Sequence, residues 1–130
     1  VIRQEVTMTA RLAAIVLGII FVLLGLLGFF TDPMLGLFAV NPLHNLIHIV
    51  SGIVLLAGAY SNLGSGPALK IVGIVYVLIT ILGFFLTGAD GMLLSIIANN
   101  TADNWLHLIF AVLMLVAGFA LPDDDRGMEM

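Results

Sequence analysis

Asn41-Pro42-Leu43-His44-Asn45-Leu46-Ile47-His48 returns later in the chain as Asn100-Thr101-Ala102-Asp103-Asn104-Trp105-Leu106-His107, and each copy opens a long apolar run. Asn41, Asn45 and His48 match Asn100, Asn104 and His107 at an offset of 59. The apolar run before each phrase repeats too: Gly18, Gly28, Phe29 and Phe30 match Gly73, Gly83, Phe84 and Phe85 at an offset of 55. The second copy therefore carries four extra residues in its loop. Each copy is a pair of apolar runs, a helical hairpin that returns the chain to the side it left. Two such hairpins stand the same way up, and their pseudo-two-fold axis runs along the membrane normal.

Composition places that repeat in a bilayer. With 62% hydrophobic and 9% charged residues over 130 positions, and a mean hydropathy of +1.23, the chain lacks the polar skin of a soluble domain. Residues 9–30, 42–60, 69–87 and 101–121 read as helices, each near the ~20 residues that span the hydrocarbon core, the third being the shortest. The breaks are Thr31-Asp32-Pro33 and the glycine-rich Ser61 to Pro67. The expected fold is an all-α membrane protein: a four-transmembrane-helix bundle in a single domain, 1–130, with repeats at about 9–60 and 69–121 and an acidic tail at 122–130. The chain begins with Val1 rather than Met, so a few residues are expected to precede it. The first run lacks a small-residue cleavage site and returns as an internal span, which argues against a signal peptide.

Charge gathers at the ends, leaving only Asp32, Lys70, Asp90 and Asp103 between Arg11 and Asp123. The net charge of −4 mostly reflects the tail, and so few basic residues offer no nucleic-acid surface. Absence of cysteine removes disulfides, thiolate catalysis, iron–sulfur clusters and Cys-type zinc sites. Arg3, Arg11, Lys70 and Arg126 all fall on one side, whereas loops 31–41 and 88–100 contain no basic residue. Both termini are therefore expected in the cytoplasm, across a bacterial cytoplasmic or other energy-transducing inner membrane, with the Asn/His phrases toward the external face. The external loops are apolar, Met34 to Val40 and Met92 to Ala98. They are expected as short amphipathic turns in the interface, or tucked over the bundle as a lid. Ala14, Gly18, Gly25 and Gly28, with Gly73, Thr80 and Gly83 in the third run, form small-residue stripes that mark packing seams.

Helix capping explains the outermost polar residues. Asn41 before Pro42 suits an N-cap, and Asn100 with Asp103 resembles a capping box. His48 and His107 lie seven positions beyond those caps, about 10 Å deeper at ~1.5 Å per residue. Polar groups at that depth should face the bundle interior. Asn41, Asn45, Asn100 and Asn104 make a structural polar cluster, and its inner members Asn45 and Asn104, with His48 and His107, read as a hydrogen-bonded clamp that bridges helices and holds the two hairpins and their lids together, each bond worth about 0.6 to 2 kcal/mol. A sharper reading makes His44, His48, Asp103 and His107 ligands for zinc, copper or iron. Alternatively, His48 and His107 are axial ligands to a haem or chlorin, against which counts the replacement of His44 by Asp103 in the second copy. The default remains no cofactor at all. Trp105, Tyr60 and Tyr76 fit an interfacial aromatic belt, and Asp32 and Asp90 fit solvated turns. No Ser–His–Asp order and no phosphate-binding loop is present, so no catalytic residue is assigned.

The phrases V-N-P-L-H-N-L-I-H and D-N-W-L-H-L, each after a G-F-F span ending, resemble a family of small four-span bacterial membrane proteins grouped as a domain of unknown function. The likeness runs from about Ala10 to Leu121. Its motifs match Asn41, His44, Asn45 and His48 in the first copy and Asp103, Trp105 and His107 in the second; Asn100 and Asn104 come from the internal repeat alone. The resemblance implies topology and site location, with no activity to transfer. A looser similarity is to the DoxX-like four-helix membrane proteins.

Three functions fit these residues. The first is a non-enzymatic accessory or scaffolding subunit, partnered by lipid and other membrane protein subunits. The second is a metal-, haem- or pigment-binding bundle serving electron transfer or light harvesting. The third is a proton or small-solute path through the Asn/His cluster.

Overall fold

The computed structural model describes residues 8–122. Arg3, Glu5 and the acidic tail from Asp123 onward lie outside the described residues. Four helices are long and apolar enough to cross a membrane: α1 (Ala10–Gly28), α2 (Pro42–Tyr60), α3 (Ser65–Leu86) and α4 (Thr101–Ala120). A two-stranded hairpin, β1 (Met92–Leu93) and β2 (Ile97–Ala98), stands between α3 and α4.

Three of these helices start where a side chain satisfies their free amides. Thr9 Oγ1 accepts from the Leu12 amide at 3.1 Å and opens α1. Asn41 Oδ1 accepts from the His44 amide at 3.0 Å, with Pro42 in the first helical position. Asn100 and Asp103 form a reciprocal capping box at the head of α4. The third helix departs from expectation. It begins at Ser65 rather than residue 69 and is the longest, at 22 residues, not the shortest. Pro67 falls in its first turn, where a missing N–H forfeits no intrahelical bond, and Gly64, at φ +91°, makes the turn and caps the helix through its carbonyl to the Ala68 amide.

Close packing runs within each hairpin, α1 on α2 and α3 on α4. The small-residue stripes lie along these seams. Gly18 faces the Gly52 carbonyl and Leu56, Gly25 faces Ile49 and the Asn45 carbonyl, and Gly73 faces Met114 and Leu115. Gly28 and Gly83 have a more specific task, since a methyl group at either would collide with the side-chain oxygen of Asn45 or of Asn104. Between the hairpins, Ala14, Phe21, Leu55, Leu69, Tyr76, Phe110 and Met114 fill the centre. The outward faces carry exposed Leu, Ile, Val and Phe, which suit acyl chains. At the end holding the termini, Arg11 donates from Nε to the Ala59 carbonyl at 3.0 Å and stacks on Tyr60, while Lys70 lies over the Phe119 ring.

The loops between α1 and α2 and between α3 and α4 are tight hairpins rather than amphipathic turns. Met34 and Phe38 exchange backbone bonds of 2.8 and 3.0 Å, and β1 pairs Met92 with Ala98 and Leu93 with Ile97. The tips correspond between copies: Leu35 and Gly36 take φ of +54° and +74°, Leu94 and Ser95 +52° and +62°. A segment folded over a dry bundle must pair its own backbone groups, and a hairpin does so within a few residues. Met34 and Leu93, at matching places, are buried and plug the mouth of the bundle, whereas Leu35, Leu37, Leu94 and Ile96 face outward.

Substituting Gly28→Ala or Gly83→Ala should each lower stability by about 1 to 3 kcal/mol, the usual cost of forcing a methyl into a packed seam. Unfolding in detergent, with lipid-facing Val75→Ala as the unaffected control, measures it.

Candidate functional site

Under the two lids, the head of α2 and the head of α4 bring three imidazoles together. His44 and His48 come from successive turns of α2, and His107 from α4. Ring centroids are 4.6 Å apart for His44 and His48, 5.4 Å for His44 and His107, and 5.7 Å for His48 and His107. One nitrogen from each ring lies within 4.8 Å of the others. All three residues are at least 97% buried. A cavity of about 20 Å³ adjoins them, walled also by Ile47, Tyr76, Ile79, Leu93, Ile97 and Asn99.

Hydrogen bonding around the rings is sparse. His44 Nδ1 lies 2.8 Å from the Ala98 carbonyl. A carbonyl only accepts, so Nδ1 carries the proton and Nε2 presents a lone pair. That Nε2 and both ring nitrogens of His48 and of His107 are buried without a hydrogen-bond partner among the described residues. Five unpaired ring nitrogens are costly: each buried unsatisfied group is worth roughly 1 to 3 kcal/mol. Tyr76, expected in the aromatic belt, is instead 1% exposed in the core, because its hydroxyl finds Ser51 Oγ at 3.0 Å and its ring meets the edge of His107 at 5.5 Å. Phe21, its counterpart in the first copy, packs edge-on to His48 at 5.8 Å. Trp105 and Tyr60 remain exposed near the ends of the bundle.

The other polar residues latch the two copies to each other. Asn41 donates from Nδ2 to the Ile96 carbonyl at 3.0 Å, and Asn100 donates to the Leu37 carbonyl at 2.9 Å. His44 holds Ala98, and Asp103 Oδ2 accepts from the Ala39 amide at 3.1 Å. Each cap segment thus reaches across to the lid of the other copy, at corresponding positions. Asp103 also accepts from the Asn100 amide at 3.0 Å, so it stands with the latch and outside the imidazole group, unlike the four-ligand set the sequence suggests. A short carboxylate at the third helical position reaches back to its own cap before it can reach inward.

Asn99 escaped the sequence reading. It is buried and donates to Thr87 Oγ1 and to Asn104 Oδ1, both at 2.8 Å. Its counterpart in the first copy is Val40, which offers no donor, and Asn45 Oδ1 is left without a partner. Aligning the two copies and asking where polarity differs would have singled out position 99. Asn45 and Asn104 occupy the notches left by Gly28 and Gly83.

A family model described as a domain of unknown function, DUF4383, matches residues 11–120. The match is to an uncharacterised family and carries no link to DoxX-like proteins. No curated protein and no solved structure matches the chain.

Replacing Asp103→Ala should speed amide hydrogen exchange at Ala39, in the opposite copy, by on the order of tenfold, the equivalent of about 1.4 kcal/mol of lost charge-assisted bonding. Exchange measured residue by residue in detergent micelles reads this, and unchanged protection at Ala39 would contradict the latch.

Proposed function

The chain belongs to the DUF4383 family of unknown function, and we propose that it is a non-enzymatic membrane bundle that holds a transition-metal ion between its two repeats. One observation carries this reading: His44, His48 and His107 converge in a buried place with five ring nitrogens unpartnered. A metal ion takes one lone pair from each ring, and imidazole is a good ligand for zinc, copper, iron or nickel. Ligand nitrogens around such an ion sit about 3.4 Å apart, given metal–nitrogen distances of about 2.0 to 2.1 Å. Binding would draw the three nitrogens inward from the 4.8 Å within which they already lie. The Ala98 carbonyl already fixes the tautomer of His44, a second-layer contact typical of metal-bound histidine.

Size narrows the cofactor. A cavity of about 20 Å³ suits one ion or one water and leaves no room for a macrocycle, which favours a metal over haem or chlorin. Arg11 and Lys70 lie at the end opposite the lids, which supports a cytoplasmic side for that end and an external one for the metal. The apolar outer walls suit lipid and neighbouring subunits, in keeping with an accessory role in a larger membrane assembly.

After chelator stripping and exposure to zinc and copper salts, the detergent-purified protein should retain one metal ion per chain by mass spectrometry. His48→Ala or His107→Ala should weaken retention by on the order of 100-fold, with helical content and micelle size unchanged; a wild type that retains no metal refutes the reading.

A further inference from the structure

We infer that the ion this centre selects is univalent copper, Cu(I), in preference to zinc(II) or any other divalent ion; the inference rests on the metal-binding reading above. Charge decides it. The three ligands are neutral imidazoles, and among the described residues no carboxylate, thiolate, lysine or arginine lines the cavity they border. Asp103, the nearest acidic candidate by sequence, has Oδ2 engaged by the Ala39 and Asn100 amides. The Tyr76 hydroxyl is bonded to Ser51, and Asn99 brings a neutral amide. The loaded site therefore carries the full charge of its ion. The cost of placing an ion in a medium of low dielectric rises with the square of its charge, so a divalent ion pays four times the desolvation of a univalent one.

Coordination points the same way. Zinc completes a tetrahedron, and three imidazoles supply only three corners. It would lower its charge only by holding a hydroxide in the remaining 20 Å³, against walls of Ile47, Ile79, Leu93 and Ile97. Zinc-binding histidines also gain basicity by donating their outer N–H to a carboxylate or carbonyl. Here only His44 has such an acceptor, and the outer nitrogens of His48 and His107 have none. Cu(I), with a filled d shell and a single charge, is content with three nitrogens in a dry setting. Sodium and potassium share its charge but seek oxygen ligands, which leaves Cu(I), and its redox-inert analogue Ag(I), as the univalent ions suited to imidazole. Its binding is a ligand exchange in which no electron moves.

The test uses the full chain in detergent micelles under anaerobic conditions. Cu(I) is titrated against bicinchoninate, and Zn(II) against a chromophoric zinc chelator. Cu(I) should bind at least about 1,000-fold more tightly, Ag(I) should displace it as a redox-inert ion of equal charge, and X-ray absorption of the Cu(I) form should show three nitrogen neighbours and no sulfur. The His48→Gln/His107→Gln pair, which keeps polar side chains of similar size, should abolish binding while preserving the helical spectrum. Zinc binding as tight as Cu(I) would overturn this inference and leave the metal-binding reading standing. Failure of both ions would overturn the two together. Copper bound through sulfur, or retained by the double variant, would remove it from this site.

Discussion

A polar atom buried inside a membrane bundle has no water to turn to, and that constraint organises the end of this molecule that holds the two lids. Asn41, Asn100, His44 and Asp103 each find a backbone group in the lid of the opposite copy. The lids in turn are hairpins, which pair part of their backbone internally and leave the rest to those side chains. The latch thus couples the two hairpins to each other, the tightest helix contacts lying within each hairpin. Against this thorough pairing, the imidazole nitrogens stand out as the largest group left unsatisfied among the described residues.

An approximately symmetric scaffold yields an asymmetric site through a few substitutions between copies. His44 faces Asp103 across the pseudo-axis, so the first copy gives two imidazoles and the second gives one. Phe21 corresponds to Tyr76, and Ser51 to Phe110. One diagonal is therefore an aromatic contact between Phe21 and Phe110 at 4.6 Å, and the other is the Ser51–Tyr76 hydrogen bond. Val40 against Asn99 supplies a donor to one inner asparagine and withholds it from the other. A strict two-fold repeat would have supplied four imidazoles from two copies of the first phrase, or only two from two copies of the second. The divergence leaves three neutral donors and an apolar wall.

Hydropathy and the doubled phrase determined the architecture by themselves: four spans, two parallel hairpins, caps at Asn41 and Asn100, and histidines one to two turns deeper. These follow from local rules, since a helix of given length, cap and periodicity needs little from its surroundings. The same reasoning placed the start of α3 four residues late, because a proline in the first turn reads as a break when the turn itself is invisible. Tertiary structure decided the rest. Whether Asp103 joins the histidines or the latch depends on the reach of a short side chain toward groups 64 residues away, as in its bond to Ala39. Whether Tyr76 meets lipid or the core depends on Ser51 being opposite, and whether Asn99 matters depends on Thr87 and Asn104 closing around it. Such choices are made by distances between segments far apart in the chain, which no local pattern of residues encodes.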